Sequence, residues 1–312
     1  MTLNRHQNRF DMYFADPRST VCKLALRDES PYYINENVFD NIQFYPEYFS
    51  FVSDKSGYPH LYWYSMNGNL IKQVTSGNYE VKNFIGWNPD TNEFYYTSNE
   101  ESPMRQAVYK IDRKGKKMKL SNQPGTNSPI FSSSMKYFMN KFTSLDTPML
   151  ITLNANTGKV LKTLVTNDKL KQKLAEYAIP QKEFFTFKTT EGVDLNGWMM
   201  KPVNFDPAKR YPVLMFQYSG PGSQQVLDKW GISWETYMAS LGYVVACVDG
   251  RGTGGRGSEF QKCTYLNLGV KEAKDQVEAA KYLGGLPYVD KGRIGIWGWS
   301  FGGYMTIMSM SE

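Results

Sequence analysis

The sequence predicts a partial β-propeller of about 3.5 blades followed by the first portion of an α/β domain, within 312 residues. Three observations predict it. Residues 1–165 are a succession of short aromatic and β-branched runs separated by Gly, Asn, Asp and Pro, the pattern of all-β structure. From residue 181 to 312 strand-like and helix-like runs alternate, which is the order of a largely parallel sheet with crossover helices. Inside that second part, Gly298-Trp299-Ser300-Phe301-Gly302 stands between a strand-like run and an apolar helix-like run.

The propeller expectation rests on an internal repeat. Leu61 to Gly68 resembles Val108 to Gly115, and both resemble Leu150 to Gly158; the three glycines lie 47 and 43 residues apart. A four-stranded blade has that period, whereas a β-sandwich has no reason to repeat turn and strand at one spacing. Each repeat carries a second run about ten residues earlier, at Phe51-Val52-Ser53, Tyr95-Tyr96-Thr97 and Tyr137-Phe138-Met139. Residues 166–180 then change character. Leu170, Leu174 and Tyr177 recur at helical spacing and Pro180 ends the run, so a connecting helix is expected.

In the second part the expected elements are a hairpin over 184–200, a strand over 213–218, a helix over 234–241 and a strand over 243–248. A helix over 270–283, a strand over 293–297 and a helix over 303–310 follow. For the helix over 270–283 the apolar stripe reads as Ala273, Val277, Ala280 and Tyr282.

Composition narrows the function. A net charge of +6 is spread along the chain, and its longest basic run, Arg113 to Lys117, reads as a turn between strands, so nucleic acid is not an expected partner. Cys22, Cys247 and Cys263 form no metal-binding or paired-disulfide spacing; no metal and no cofactor are expected. Cys247, inside Tyr-Val-Val-Ala-Cys-Val, reads as a buried small hydrophobe. No apolar stretch approaches a membrane span, and residues 1–30 have no signal-peptide pattern. Strand-like sequence begins almost at once, at Arg9, which places the natural start, with any targeting segment, upstream.

The chemistry concentrates at Ser300. G-x-S-x-G on a strand-turn-helix is a nucleophile elbow: the serine stands on a sharp bend above the sheet, and small flanking residues let strand and helix approach. A serine hydroxyl needs a base, and α/β-hydrolases deliver their acid and histidine after the serine. The only histidines here are His6 and His60. The chain therefore reads as a fragment that carries the nucleophile and is truncated before the rest of its triad, with negligible activity of its own and unpaired apolar edges. The helix N-terminus behind Ser300 and the Phe301 N–H face a developing oxyanion, and the Tyr218 hydroxyl, at the end of the expected strand 213–218, is the candidate second donor. Gly250 to Gly255 also spells G-x-G-x-x-G. It lacks the immediate helix of a dinucleotide site and reads as a flexible loop beside the serine.

Taken together, Tyr218-Ser219-Gly220-Pro221-Gly222-Ser223-Gln224, Asp249-Gly250-Arg251-Gly252, Lys274 to Ala280 and Trp297 to Tyr304 resemble the prolyl oligopeptidase superfamily of serine peptidases. The likeness is strongest to its dipeptidyl peptidase IV branch, of bacterial type. The resemblance implies three regions: 1–165 as the C-terminal part of a propeller, 166–180 as a connecting helix, and 181–312 as a truncated α/β-hydrolase domain. It implies a serine exopeptidase that releases N-terminal dipeptides or tripeptides after proline or alanine. By position Ser300 is the nucleophile, Tyr218 gives its hydroxyl and Phe301 its backbone amide to the oxyanion, and Phe301 and Trp299 bind substrate. Phe301 stands where many members have Tyr, so that pocket wall loses a hydroxyl. The amine-binding glutamates of the family would precede Met1, and its triad acid and histidine would follow Glu312. A periplasmic, cell-envelope or secreted location and a homodimeric full-length form also come with the resemblance. Two other readings stay open: a hydrolase fold that only binds, motivated by the missing histidine, and an esterase.

Overall fold

The computed structural model describes residues 1–312, the side chain of Asn37 excepted. The first half consists of four antiparallel sheets formed strictly in chain order. They comprise β1 (Thr2–Leu3), β2 (Arg9–Ala15) and β3 (Cys22–Glu29); β4 (Ile42–Phe44), β5 (Tyr48–Ser53), β6 (His60–Ser65) and β7 (Leu70–Gln73); β8 (Val81–Asn88), β9 (Glu93–Ser98), β10 (Ala107–Asp112) and β11 (Lys117–Lys119); and β12 (Thr126–Phe131), β13 (Tyr137–Thr143), β14 (Leu150–Ala155) and β15 (Val160–Val165). The repeated segments are the third strand and following turn of the last three sheets, and Gly68, Gly115 and Gly158 all take positive φ there. Aromatic rings fill the space between sheets: Trp63 touches Tyr45, Tyr48, Trp87 and Phe94 with ring centroids 4.9–5.3 Å apart.

Next comes α1 (Asp168–Ala175). It is the expected helix, but none of its residues is buried and Tyr177 beyond it is exposed. The apolar spacing there marks the helix without marking a packed face.

The second half is one five-stranded sheet of order β16-β17-β19-β18-β20, from β16 (Lys182–Lys188), β17 (Asp194–Met200), β18 (Tyr211–Phe216), β19 (Val244–Asp249) and β20 (Val289–Trp297). The sheet is mixed, where a largely parallel one was expected. A tight turn at Thr189–Gly192 forces β16 and β17 into an antiparallel hairpin, and β17 also runs antiparallel to β19. Only β18 with β19 and β18 with β20 are parallel. The crossover from β18 to β19 carries α2 (Trp234–Ser240); that from β19 to β20 carries α3 (Gly257–Lys262) and α4 (Val270–Gly284); α5 (Phe301–Ser311) leaves β20. The short helix α3 falls in polar sequence that gave no helical signal.

Strand β19 is buried throughout, with Val244, Ala246 and Val248 packed under α4 and Val245 and Cys247 packed under α2. Burial pushes the Cys247 thiol pKa upward, as expected of an inert small hydrophobe. The halves meet through polar contacts: Arg105 pairs with Asp228 at 2.7 Å, buried Lys262 pairs with Asp54, and Glu80 accepts the Gly257 N–H at 2.9 Å. Among the described residues no helix is long and apolar enough to cross a membrane.

Candidate active site

Ser300 occupies the bend between β20 and α5 with φ 56° and ψ −118°. A left-handed φ on a residue with a side chain is strained by roughly 1–3 kcal/mol and persists only where the surroundings force it. Here they do. A Cβ on Gly298 would lie 2.4 Å from the Gln217 carbonyl oxygen, and one on Gly302 would lie 2.5 Å from the same atom. The end of β18 therefore presses on both flanking glycines, and larger residues would push α5 off the sheet. Ser300 itself is exposed. Its carbonyl accepts the N–H groups of Gly303 and Tyr304, at 2.9 and 3.2 Å, so the helix begins at once behind it. Phe301 is the first helical residue, and its N–H has no intrahelical acceptor.

Gln217 is fully buried, and its side-chain amide locks strand to helix, since Nε2 donates to the Gly302 carbonyl at 2.6 Å. The next residue, Tyr218, is half-buried with its ring centroid 6.4 Å from that of Phe301. Phe301 in turn meets Tyr304 edge-on at 5.5 Å. Serine, phenol ring and phenylalanine ring thus share one corner of the molecule. Trp299 is 81% exposed and has no aromatic neighbour among the described residues.

From Tyr218 the chain runs through a contorted loop to Val226. Ser219 takes φ 57° although it is buried. Ser223 donates from both N–H and Oγ to the Gly220 carbonyl, at 3.0 and 2.6 Å. The loop is tied to the glycine-rich segment after β19, for the Gly222 N–H donates to Gly252 O at 2.8 Å and the Gly254 N–H to Ser223 O at 2.9 Å. Sequence reasoning made that segment flexible. The structure corrects this, because Gly252 to Gly255 are buried between the loop and the four-sheet half, where Asn99 donates to Gly255 O at 2.7 Å.

Several buried polar residues around these loops lie in the blocks that carry the family resemblance, but the sequence reading gave them no role. Asp249, at the end of β19, accepts the Gln225 N–H at 3.0 Å and the Val226 N–H at 2.8 Å. Burial pushes its pKa up to about 6 against the opposing effect of those bonds. Asp275 is fully buried and grips the Arg251 guanidinium at 2.6 Å, which raises the arginine pKa further. Gln276 donates to Ser219 Oγ at 3.3 Å and to Val248 O at 3.0 Å. The buried face of α4 is Glu272, Ala273, Asp275, Gln276, Ala279 and Leu283, and the expected Val277, Ala280 and Tyr282 are only partly covered. The discriminating signal was present: positions 272, 276, 279 and 283 share one helical period, and two of them are polar because the loops need partners.

Neither histidine serves Ser300. His60 on β6 is buried with Nδ1 3.1 Å from Thr75 Oγ1 and Nε2 2.9 Å from Gly77 O, and burial lowers its pKa. His6 is exposed in the turn between β1 and β2. The corner thus presents a strained, exposed hydroxyl beside two aromatic rings, with neither histidine next to it.

Comparisons with known proteins agree with this arrangement. Residues 1–149 match the family described as dipeptidyl peptidase IV (DPP IV) N-terminal region, and residues 230–312 match the prolyl oligopeptidase family. A probable dipeptidyl-aminopeptidase B of Trichophyton verrucosum is 38% identical over 264 residues, which are 82% of this chain and 29% of that protein. A dipeptidyl peptidase 4 of Trichophyton equinum is 35% identical over 272 residues, 85% of this chain and 35% of its own length. The crystal structure of Porphyromonas gingivalis dipeptidyl peptidase 4 superimposes with a TM-score of 0.96 at 48% identity, covering 98% of this chain and 44% of that one. The chain thus spans about a third of the length of these curated relatives.

Proposed function

We propose that this chain, which belongs to the prolyl oligopeptidase family and to its dipeptidyl peptidase IV branch, carries the nucleophile and oxyanion donors of a serine exopeptidase that releases N-terminal dipeptides after proline or alanine. The observation that carries the reading is the Ser300 bend. A hydroxyl is held exposed, at strained φ, on the N-terminus of a helix and near a tyrosine that begins the loop after the neighbouring strand.

In this reading Ser300 Oγ attacks the carbonyl carbon of the second substrate residue while a histidine outside residues 1–312 takes its proton. The Phe301 N–H and the Tyr218 hydroxyl receive the oxyanion, and collapse of the tetrahedral intermediate expels the new N-terminus and leaves an acyl-serine. Water then releases the dipeptide by the same route. The Phe301 ring forms the wall met by the proline or alanine side chain, and Trp299, exposed two positions earlier in the chain, adds to the substrate-binding surface; the contact with Phe301 is apolar, so Phe suffices where relatives of the family use Tyr. The four sheets are blades of an open propeller over 1–165, residues 166–180 connect, and 181–312 are the start of the hydrolase domain. Residues 1–312 alone are inactive for want of the base. The relatives' type of activity fits a periplasmic, envelope or secreted setting and a dimeric complete protein.

A fluorophosphonate probe and a Gly-Pro amide substrate test this on the protein expressed from its complete reading frame. Wild type is expected to label and turn over, and Ser300→Ala to lose both, with a rate loss on the order of a million-fold. Labelling that survives Ser300→Ala, or preference for an acyl ester over the amide, would sink the reading.

A further inference from the structure

Resting on the reading of Tyr218 as an oxyanion donor, we propose that Asp249 is a positioning residue for it: the buried carboxylate fixes the far end of the 218–226 loop and thereby aims the phenol.

The loop is clamped at two points. Its near end is the buried Gln217, tied to α5 through Gly302 O. Its far end is Gln225-Val226, whose two N–H groups both point at the Asp249 carboxylate, at 2.8–3.1 Å. Val226 is itself buried among Trp198, Ala239 and Cys247, and Trp198 Nε1 donates to Gln225 O at 3.3 Å. Between the clamps the backbone is tightly wound. Ser219 is left-handed, Ser223 folds back onto Gly220 O, and the Gly220 backbone lies so close to the Tyr218 ring that a Cβ there would sit 2.5 Å from the ring edge. A displacement at 225–226 therefore reaches the phenol through main chain, with little slack to absorb it.

The choice of an acid at this place also needs a cause. A carboxylate buried at the end of the central strand is costly, which is why its pKa rises, and among the described residues no cation pairs with it; the two backbone N–H groups are the partners that favour its charge. A neutral residue would suit the fold as well or better. Asp249 Oδ2 accepts both N–H groups, at 3.0 and 2.8 Å, and Oδ1 shares the Gln225 N–H at 3.1 Å, so the negative charge strengthens every contact that holds the loop carrying Tyr218.

The test uses the complete protein and the Gly-Pro amide substrate. Asp249→Asn keeps the shape, removes the buried charge and leaves a single acceptor oxygen. We expect kcat to fall on the order of 10-fold to 100-fold, KM to stay within about twofold, since binding of the ground state does not need the aimed phenol, and the thermal midpoint to hold or rise. Placed on Tyr218→Phe, the same change should cost nothing further, because the hydroxyl it aims is gone. Asp249→Ser, smaller and also limited to one acceptor, provides a second variant with the same expected kcat and KM pattern but a lower thermal midpoint, because it leaves a cavity and unpartnered N–H groups. Undiminished kcat in both variants, or an Asp249 effect that persists in full on top of Tyr218→Phe, overturns this inference alone. An unchanged kcat in Tyr218→Phe overturns the oxyanion reading and this inference with it.

Discussion

Two segments meet at the corner of Ser300 and are held there in different ways. The bend 298–302 is fixed by main chain against main chain: Gly298 and Gly302 let the Gln217 carbonyl come so close that Ser300 has no room for ordinary dihedrals. The loop 218–226 is fixed by side chains from elsewhere, chiefly Asp249 of β19 and Gln276 of α4, with Gly252 and Gly254 bonded alongside. Strain is thus stored by small residues within five consecutive positions, whereas aim is supplied by buried polar groups distributed over the sheet and its crossover helix.

The comparison breaks most visibly at the loop. Tyr218→Phe should lower kcat by roughly 10²–10³, about 3–4 kcal/mol of transition-state stabilisation, with KM little changed. Steady-state kinetics on a Gly-Pro amide checks this. A loss confined to KM would mean that the ring only packs against substrate.

The next effect concerns stability and separates the loop's anchor from the bend. Asp249 has a pKa of about 6 in the fold against 3.8 when solvated. Between those values the folded chain binds a proton that the unfolded chain releases, so stability must fall as pH rises from about 4 to about 6. The full penalty is present above that window and reaches about 3 kcal/mol. Urea unfolding across pH 4–7 should show that slope in wild type and lose it in Asp249→Asn. No such slope is expected from substitutions at 298–302, where no titratable group takes part.

How much of this was legible follows the same division. The bend could be read directly, since a strand, two glycines around a serine and an apolar helix are contiguous and each serves a local need. The sheets were readable from repetition, because identical turns recur at Gly68, Gly115 and Gly158, all at positive φ. The roles of Asp249, Asp275 and Gln276 were not. Each answers a backbone or guanidinium group far away in sequence, and in α4 the polar members of the buried face masked its period. The hairpin's effect on sheet direction was hidden for a related reason: alternating β and α signals do not say which neighbour a strand chooses.

Gly302→Ala tests the bend on its own terms. Alanine is the better helix former by about 1 kcal/mol, yet its Cβ would stand 2.5 Å from Gln217 O and 3.2 Å from the Tyr218 Cα. Overpacking against rigid backbone should win, with a net loss of about 1–2 kcal/mol and a fall in probe labelling of Ser300. Asp249→Asn is expected to do the reverse, sparing stability while slowing the chemistry. Thermal melts of the two variants side by side therefore sharpen the contrast, and a stabilised Gly302→Ala would show that the strand can yield.

The smallest effect is expected where neither kind of constraint applies. The Phe301 ring is only half-buried and makes its aromatic contacts edge-on or tilted, 5.5 Å to Tyr304 and 6.4 Å to Tyr218. A hydroxyl added at the ring tip by Phe301→Tyr keeps its water on one side and leaves the helical N–H untouched. Its apolar face toward a proline ring is unchanged, so kcat/KM for Gly-Pro and Gly-Ala amides should stay within about threefold, less than 1 kcal/mol. In the proposed mechanism this residue serves the oxyanion through its backbone N–H, which any side chain leaves in place. A tenfold change in kcat would instead place the new hydroxyl in contact with the Tyr218 phenol, and would mean that the corner is closer packed than the ring separations require.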